Sequence, residues 1–72
     1  MNATEKFEVT GMTCNHCVMK VEKAIKAIGG VKSVSVDLNL KQAVVDFDSD
    51  QADTMKIVST IEKSGYQGKK IQ

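Results

Sequence analysis

The chain has 72 residues, 42% of them hydrophobic, and its ten lysines nearly balance nine acidic residues to give a formal net charge of +1. This balance argues against a nucleic acid as partner, since proteins that bind phosphate backbones usually carry a clear basic excess. No apolar stretch approaches the roughly 20 residues that cross a bilayer, so no direct membrane insertion is expected. We expect one small globular domain over residues 1–72.

The first two predicted elements are a strand and a helix. Phe7 and Val9 alternate with polar residues, which is typical of a half-buried strand. Thr13 is predicted to cap the following helix, and Gly29 and Gly30 to end it in a left-handed conformation. One face of that helix carries apolar residues at intervals of three and four, namely Val18, Val21, Ile25 and Ile28.

The second half of the chain predicts a hairpin, a second helix and a short last strand. Two alternating runs around a turn at Asn39 predict a β-hairpin with the apolar positions Val34, Val36, Leu38, Ala43, Val45 and Phe47. Asp50 and Asp53 supply acidic residues for the start of the second helix, and Gly65 ends it. Its inner face is predicted as Thr54, Ile57, Val58 and Ile61. Residues 66–71 remain as the final strand.

This order of elements, βαββαβ, predicts an α+β fold. Neither helix can bury its apolar stripe alone, so both should pack on one face of a four-stranded antiparallel sheet. Right-handed crossovers then produce the ferredoxin-like sandwich. In that topology, residues 11–17 form an exposed loop that leads from the first strand into the N-terminus of the first helix.

That loop reads GMTCNHC and contains both cysteines and the single histidine of the chain. The positive end of a helix lowers the pKa of a thiol, so the sequence predicts readily ionised sulfurs. The polar N-terminal residues lack the apolar core of a signal peptide, which predicts a cytoplasmic protein with reduced thiols. Such thiols have two main uses, which are binding a soft metal and exchanging disulfides.

Among metals, copper(I) suits this set of ligands best. Structural zinc usually takes four ligands, whereas the loop offers at most Cys14, Cys17 and His16, with His16 expected to point outward. Cu(I) is soft, prefers thiolate sulfur, and is satisfied by two ligands. Disulfide exchange is the main rival, because a CxxC pair beside a βαβ pattern is also typical of thioredoxins. The absence of proline opposes it, since thioredoxin-like folds usually place a cis-proline beside the dithiol.

The loop resembles the GMxCxxC motif of heavy-metal-associated domains, and the Asn-His pair between the cysteines is most similar to the bacterial copper chaperones of that family. The resemblance covers essentially the whole chain, including the first helix, the Gly29-Gly30 pair, the strand at 43–47 and the segment 64–66. It implies a carrier, not an enzyme, that holds Cu(I) between Cys14 and Cys17. It further implies transfer to the N-terminal domain of a copper-transporting P-type ATPase, delivery by some relatives to a copper-responsive repressor, and an apo monomer able to form a copper-bridged homodimer.

Four neighbours of the cysteines are candidates for supporting roles: Met12, Thr13, His16 and Tyr66. For Met12 we favour core packing over a ligand role, and for His16 an exposed position without ligation in the monomer. Thr13 offers no carboxylate to a divalent ion. Tyr66, by the resemblance, lies close to the loop. There it is expected to cover the end of the sheet, and it is also a candidate to shield the metal and to donate its hydroxyl towards a sulfur.

The surroundings of the loop and the ends of the chain bear on partners. Lys20 and Lys23 share an exposed helix face and are candidates for docking onto an acidic partner, although a solvated face needs no such purpose. A metal-binding domain cut from a transport ATPase is the alternative to a free-standing carrier. A start at Met1 and an end soon after the last strand favour the carrier.

Overall fold

A computed structural model describes residues 1–71 and contains all six predicted elements in the predicted order. The strands are β1 (Asn2–Thr10), β2 (Val31–Asp37), β3 (Gln42–Asp48) and β4 (Gln67–Lys70), and the helices are α1 (Asn15–Lys26) and α2 (Thr54–Lys63). No helix within these 71 residues is both long enough and apolar enough to cross a membrane.

The sheet has the strand order β2-β3-β1-β4, and every neighbouring pair is antiparallel. The two strands that precede the helices, β1 and β3, therefore lie in the centre, where Phe7 pairs with Ala43. Helix α1 connects β1 to the edge strand β2 on the far side of β3, and helix α2 connects β3 to the edge strand β4 on the far side of β1. This is the ferredoxin-like α+β sandwich predicted from the pattern of elements.

The core lies between the sheet and the two helices. Its fully buried sheet residues come from the central strands, namely Phe7, Val9, Ala43 and Val45, with Phe47 2% exposed. The helices contribute Val21, Ile25, Ile57 and Ile61, which are also fully buried. The other predicted inward-facing residues of the helices, Val18, Ile28, Thr54 and Val58, are half-buried at the margins. The predicted apolar faces are thus the faces that pack.

Helix α1 begins and ends differently from the prediction. Its N-cap is Cys14, not Thr13, because Cys14 has the extended backbone (φ −160°, ψ 174°) and its carbonyl accepts the N–H of Cys17 at 3.0 Å. Its C-cap is Ala27 in a right-handed conformation. Of the two predicted stop glycines, only Gly30 has a positive φ (96°), and it lies in the turn before β2.

Two further predictions at element ends need correction. Leu38 lies outside β2, because the Asp37 carboxylate accepts the backbone N–H groups of Asn39 and Leu40, at 2.8 and 3.0 Å, and turns the chain there. Asp50 does not lie at the start of α2; its carboxylate instead lies 3.1 Å from the amino group of Met1.

Helix α2 has the ends that its sequence predicts. Asp53 caps it by accepting the backbone N–H of Lys56 at 2.8 Å, and Gly65, with φ 97°, follows the C-cap. Glu5 of β1 adds an unpredicted anchor, because its half-buried carboxylate accepts the Thr54 hydroxyl at 2.6 Å and lies 3.3 Å from the Lys70 ammonium. This carboxylate connects the first turn of α2 to two strands.

Candidate metal site

The loop between β1 and α1 is held close to the start of β4. Gly11 has φ 102°, a left-handed conformation that side chains other than glycine rarely adopt. A Cβ added to Gly11 would lie 3.3 Å from Cδ1 of Tyr66, so the glycine also gives the tyrosine ring room to lie against the loop backbone. The first residue of the GMTCNHC motif thus serves both the turn and the contact with Tyr66.

Cys14 occupies the N-cap of α1 without acting as a side-chain cap. Its sulfur makes no capping hydrogen bond, and the first turn of the helix carries no acidic residue. The first backbone N–H groups of a helix lack partners inside the helix and give its end a partial positive charge. In α2 the Asp53 carboxylate accepts a hydrogen bond from one of these N–H groups. In α1 the Cys14 side chain accepts none, so the helix end remains available to an anionic group at the exposed loop.

Cys17 lies in the first turn of α1, half-buried against the core, and its thiol is acidic. Its pKa is lowered to about 6, first by the backbone N–H of Thr13, then by the Tyr66 hydroxyl and the Thr13 hydroxyl, while burial opposes the shift. The Thr13 oxygen lies 3.8 Å from the sulfur. Thr13 therefore supports a thiolate at Cys17 and does not cap the helix.

Tyr66 lies between the loop and helix α1. The same interaction with Cys17 that lowers the pKa of the thiol raises the pKa of the Tyr66 phenol. The Lys20 ammonium lies 5.8 Å from the centre of the Tyr66 ring, within the range of a cation–π contact. The structure therefore brings Tyr66 to the cysteine loop, as the resemblance implied.

The other candidates are distributed as follows. Met12 is buried, with 6% of its surface exposed, and belongs to the hydrophobic core. His16 is exposed, and within residues 1–71 no three His, Cys, Asp or Glu side chains cluster as metal ligands would. Lys20 and Lys23 line an open groove of about 910 Å³ that Cys17 and Tyr66 also border.

Only the family resemblance placed Tyr66 close to the loop, and sequence reasoning missed two of the contacts that shape the site. The pairing of Thr13 with Cys17 has a sequence signal, since residues four apart meet at the start of a helix. The contact between Gly11 and Tyr66 has none, because 55 positions separate the two residues (66 minus 11) and only the sheet brings them together.

The arrangement provides two sulfurs, at least one of them readily ionised, beside a helix N-terminus and open to solvent. Two thiolates suit a soft cation of low coordination number, and the partial positive charge of the helix end offsets the excess negative charge. The chemistry that this geometry supports is reversible binding of such a cation.

Comparison with known proteins supports a metal-related role. The profile of the heavy-metal-associated domain matches residues 6–67. The chain is 43% identical over 67 residues to the copper chaperone CopZ of Enterococcus hirae, covering 93% of this chain and 97% of that protein. It is 48% identical over 60 residues to copper-transporting ATPase 2 of Rhizobium meliloti, covering 83% of this chain but 7% of that protein.

A solved structure shows the same fold. Oxidized MerP from Ralstonia metallidurans CH34 superposes with a TM-score of 0.96 at 35% identity, over 100% of both chains. The profile match, the similar sequences and the shared fold all indicate the same family, and the cysteine loop is consistent with it. The chain belongs to the heavy-metal-associated domain family.

Proposed function

We propose that this chain, as a single heavy-metal-associated domain over residues 1–72, is a cytoplasmic carrier of Cu(I), with Cys14 and Cys17 as the ligands. The observation that carries the proposal is the pair of free cysteines at the exposed N-terminus of α1, with no cluster of three candidate ligands among residues 1–71. Two soft donors suit Cu(I), whereas Zn²⁺ would need ligands from elsewhere.

The 43% identity to a copper chaperone over almost its whole length supports this choice of metal. Two thiolates around Cu(I) carry a net charge of −1, which the N-terminus of α1 partly offsets. The acidic thiol of Cys17 helps, since a metal-bound sulfur must first lose its proton and a lowered pKa reduces that cost at neutral pH.

Transfer to a partner follows from the low coordination number. A thiolate of the partner forms a copper–sulfur bond before the bond to Cys14 or Cys17 breaks, so three-coordinate intermediates replace a bare ion in water. The incoming thiol releases a proton and the outgoing sulfur takes one up, so the exchange is balanced without an oxidant. No catalytic step is part of this function. The proposed acceptor is the N-terminal domain of a copper-transporting P-type ATPase, and a copper-responsive repressor and a copper-bridged homodimer are secondary proposals.

The similarity to the Rhizobium ATPase favours a second candidate function. As a domain of such an ATPase, the same site would accept copper instead of delivering it. Copper transfer measured in both directions against a purified ATPase domain separates the roles, because a carrier is expected to lose copper to the partner. A third candidate, thiol-disulfide exchange, predicts rapid insulin reduction without copper, and such turnover would contradict the carrier.

An anaerobic Cu(I) titration against a competing chelator tests the proposed ligands. The parent is expected to bind one Cu(I) tightly, and Cys14→Ser and Cys17→Ser to bind at least about tenfold more weakly, since a hydroxyl is a poor ligand for a soft ion. Equal affinity in the parent and in either variant would show that the replaced sulfur is not a ligand.

Two control variants make the titration specific. Met12→Leu conserves volume in the core and removes the thioether, so it is expected to keep the affinity of the parent. His16→Gln removes the imidazole from an exposed position and is expected to do the same. A loss of affinity in either variant comparable to that in the cysteine variants would identify a third ligand.

A further inference from the structure

The ring of Tyr66 contacts two groups from separate parts of the chain. One is the backbone of Gly11, where an added Cβ would stand 3.3 Å from the ring. The Lys20 ammonium lies over the ring, 5.8 Å from its centre. The backbone of Tyr66 is bound separately, because its N–H donates to the carbonyl of Ile61 at the end of α2. The main chain is therefore anchored, and the side chain, which also packs against the core, is held by its contacts with Gly11, Cys17 and Lys20.

Lys20 is the movable one of these neighbours. It lies three residues after Cys17, hence on the same side of α1, and its side chain is exposed. A lysine stem is flexible, and its ammonium exchanges partners more easily than the backbone of Gly11 does. Cys17, Lys20 and Tyr66 border the same groove of about 910 Å³. The position of the Lys20 ammonium thus bears on how the Tyr66 side chain lies beside the thiol.

The groove also has a clear preference for the charge of a partner. Three lysines line it, Lys20, Lys23 and Lys26, against the single carboxylate of Glu22. A partner surface that carries carboxylates complements this charge and would pair with the lysines. A carboxylate attracts an ammonium more strongly than the face of an exposed aromatic ring does, so the two compete for Lys20.

We propose, on the basis of the function proposed above, that Lys20 is a positioning residue that holds the Tyr66 side chain beside Cys17, and that a carboxylate-bearing protein surface docks on the same ammonium. Docking then draws Lys20 away from the ring and uncovers the thiol where a partner's thiolate must approach. Recognition of the partner and exposure of the site are thereby coupled through one side chain.

Tyr66 fluorescence in the metal-free protein tests the positioning role, because the chain has one tyrosine and no tryptophan. Acrylamide quenching is compared between the parent and Lys20→Met, which keeps most of the apolar stem and removes the charge. The quenching constant is expected to rise about two- to fivefold, the factor that corresponds to losing an exposed cation–π contact. An unchanged constant in Lys20→Met would overturn the positioning role.

Two further variants distinguish this contact from a general effect of charge. Lys20→Arg keeps a cation that stacks on aromatic rings and is expected to restore the quenching constant of the parent. Lys26→Met removes the same charge from the same groove, away from the ring, and is expected to match the parent. If Lys26→Met raised the quenching as much as Lys20→Met, net charge would account for the result and the proposal would fail.

A short poly-glutamate peptide tests the coupling to docking. At low salt it is expected to bind the parent and to increase acrylamide quenching of Tyr66 about two- to fivefold, while Lys20→Met, already uncovered, shows no further increase. Binding without a change in quenching would overturn the coupling. Equal binding to the parent and to Lys20→Met would overturn the role of Lys20 in docking.

These measurements use the metal-free protein, so their outcome is independent of copper binding. A failed Cu(I) titration with the expected quenching would reject the proposed function and leave the Lys20–Tyr66 contact standing. Tight Cu(I) binding with unchanged quenching would do the reverse.

Discussion

A thiol with a pKa of about 6 is mostly ionised at neutral pH, and Cys17 acquires this property from its neighbours. The backbone N–H of Thr13 contributes most, followed by the hydroxyls of Tyr66 and Thr13. None of these groups carries a positive charge, so the thiolate is stabilised by hydrogen bonding and not by an ion pair. The site gains a readily ionised sulfur through hydrogen bonds from uncharged donors.

Tyr66→Phe removes one of these donors and keeps the ring. The pKa of Cys17 is expected to rise but to stay below that of free cysteine, because the Thr13 donors remain. The measurement is the pH dependence of alkylation by iodoacetamide in a Cys14→Ser background, where Cys17 alone reacts. Ser59→Ala, in α2, serves as the control. A profile identical to that of the parent would show that the phenol does not stabilise the thiolate.

The lowered pKa of Cys17 also makes stability depend on pH. Between about 6 and the ordinary value near 9, the unfolded chain still holds a proton that the folded chain has lost. Stability from this group therefore rises with pH across that window, and it is lost as the pH falls through 6. Thermal unfolding of reduced metal-free protein is expected to show this rise, relative to Cys17→Ser.

The comparison with Cys17→Ser is needed because the amino group of Met1 acts in the opposite direction. Its pKa is raised by Asp50 and Asp48, so its contribution is present below about 8 and is lost at higher pH. The amino group is the same in both proteins, so the difference between them isolates Cys17. A difference that does not change between pH 6 and 9 would contradict the lowered pKa.

At the level of elements, the two helices begin with similar backbone geometry and different side chains. Cys14 and Asp53 are both extended N-caps, with φ of −160° and −145°, yet only Asp53 accepts a backbone N–H. Cys14 at the N-cap position leaves helix α1 without the side-chain hydrogen bond that a carboxylate would supply. We interpret this as stability given up in exchange for a sulfur at the helix N-terminus.

Removing the cap of α2 and adding one to α1 are expected to change the free energy of unfolding in opposite directions. Asp53→Ala is expected to lower the free energy of unfolding by about 1 kcal/mol, whereas Cys14→Asp is expected to raise it by about 0.5–1 kcal/mol in metal-free protein. For a domain of this size 1 kcal/mol corresponds to a shift of about 4–8 °C in the midpoint of thermal unfolding. A loss of stability in Cys14→Asp would show that a carboxylate at this position does not cap helix α1.

At the level of the whole molecule, the centre of the core lies away from the two cysteines. The fully buried residues come from the central strands and the inner helix faces, and Cys17 only packs against their margin. Small domains in which a metal provides the core unfold when it is removed. Here circular dichroism of metal-free protein is expected to show the folded spectrum, unchanged by a chelator. A random-coil spectrum would contradict a core that forms without metal.

The contact between β4 and α2 offers a matched pair of substitutions. A Cβ at Gly68 would lie 2.9 Å from Cδ1 of the fully buried Ile61 and 3.0 Å from its Cβ, whereas a Cβ at Gly29 would meet nothing within 4 Å. Gly68→Ala is therefore expected to cost about 1–3 kcal/mol, and Gly29→Ala less than about 0.5 kcal/mol. Chemical denaturation measures both, and equal costs would show that α2 adjusts to the added methyl group.

Local periodicity and spacing determined the six elements, the apolar faces and the cysteine loop, because these are properties of residues a few positions apart. They placed Phe7, Ile25 and Ile61 in the core and Asp53 at the N-terminus of helix α2. The family resemblance implied that Tyr66 lies near the loop, but the tertiary structure decided which distant groups meet: Tyr66 against Gly11, the Lys20 ammonium over that ring, and Glu5 against Thr54. Such contacts depend on strand order and register, which join residues about 50 positions apart and leave no periodic signal in the chain.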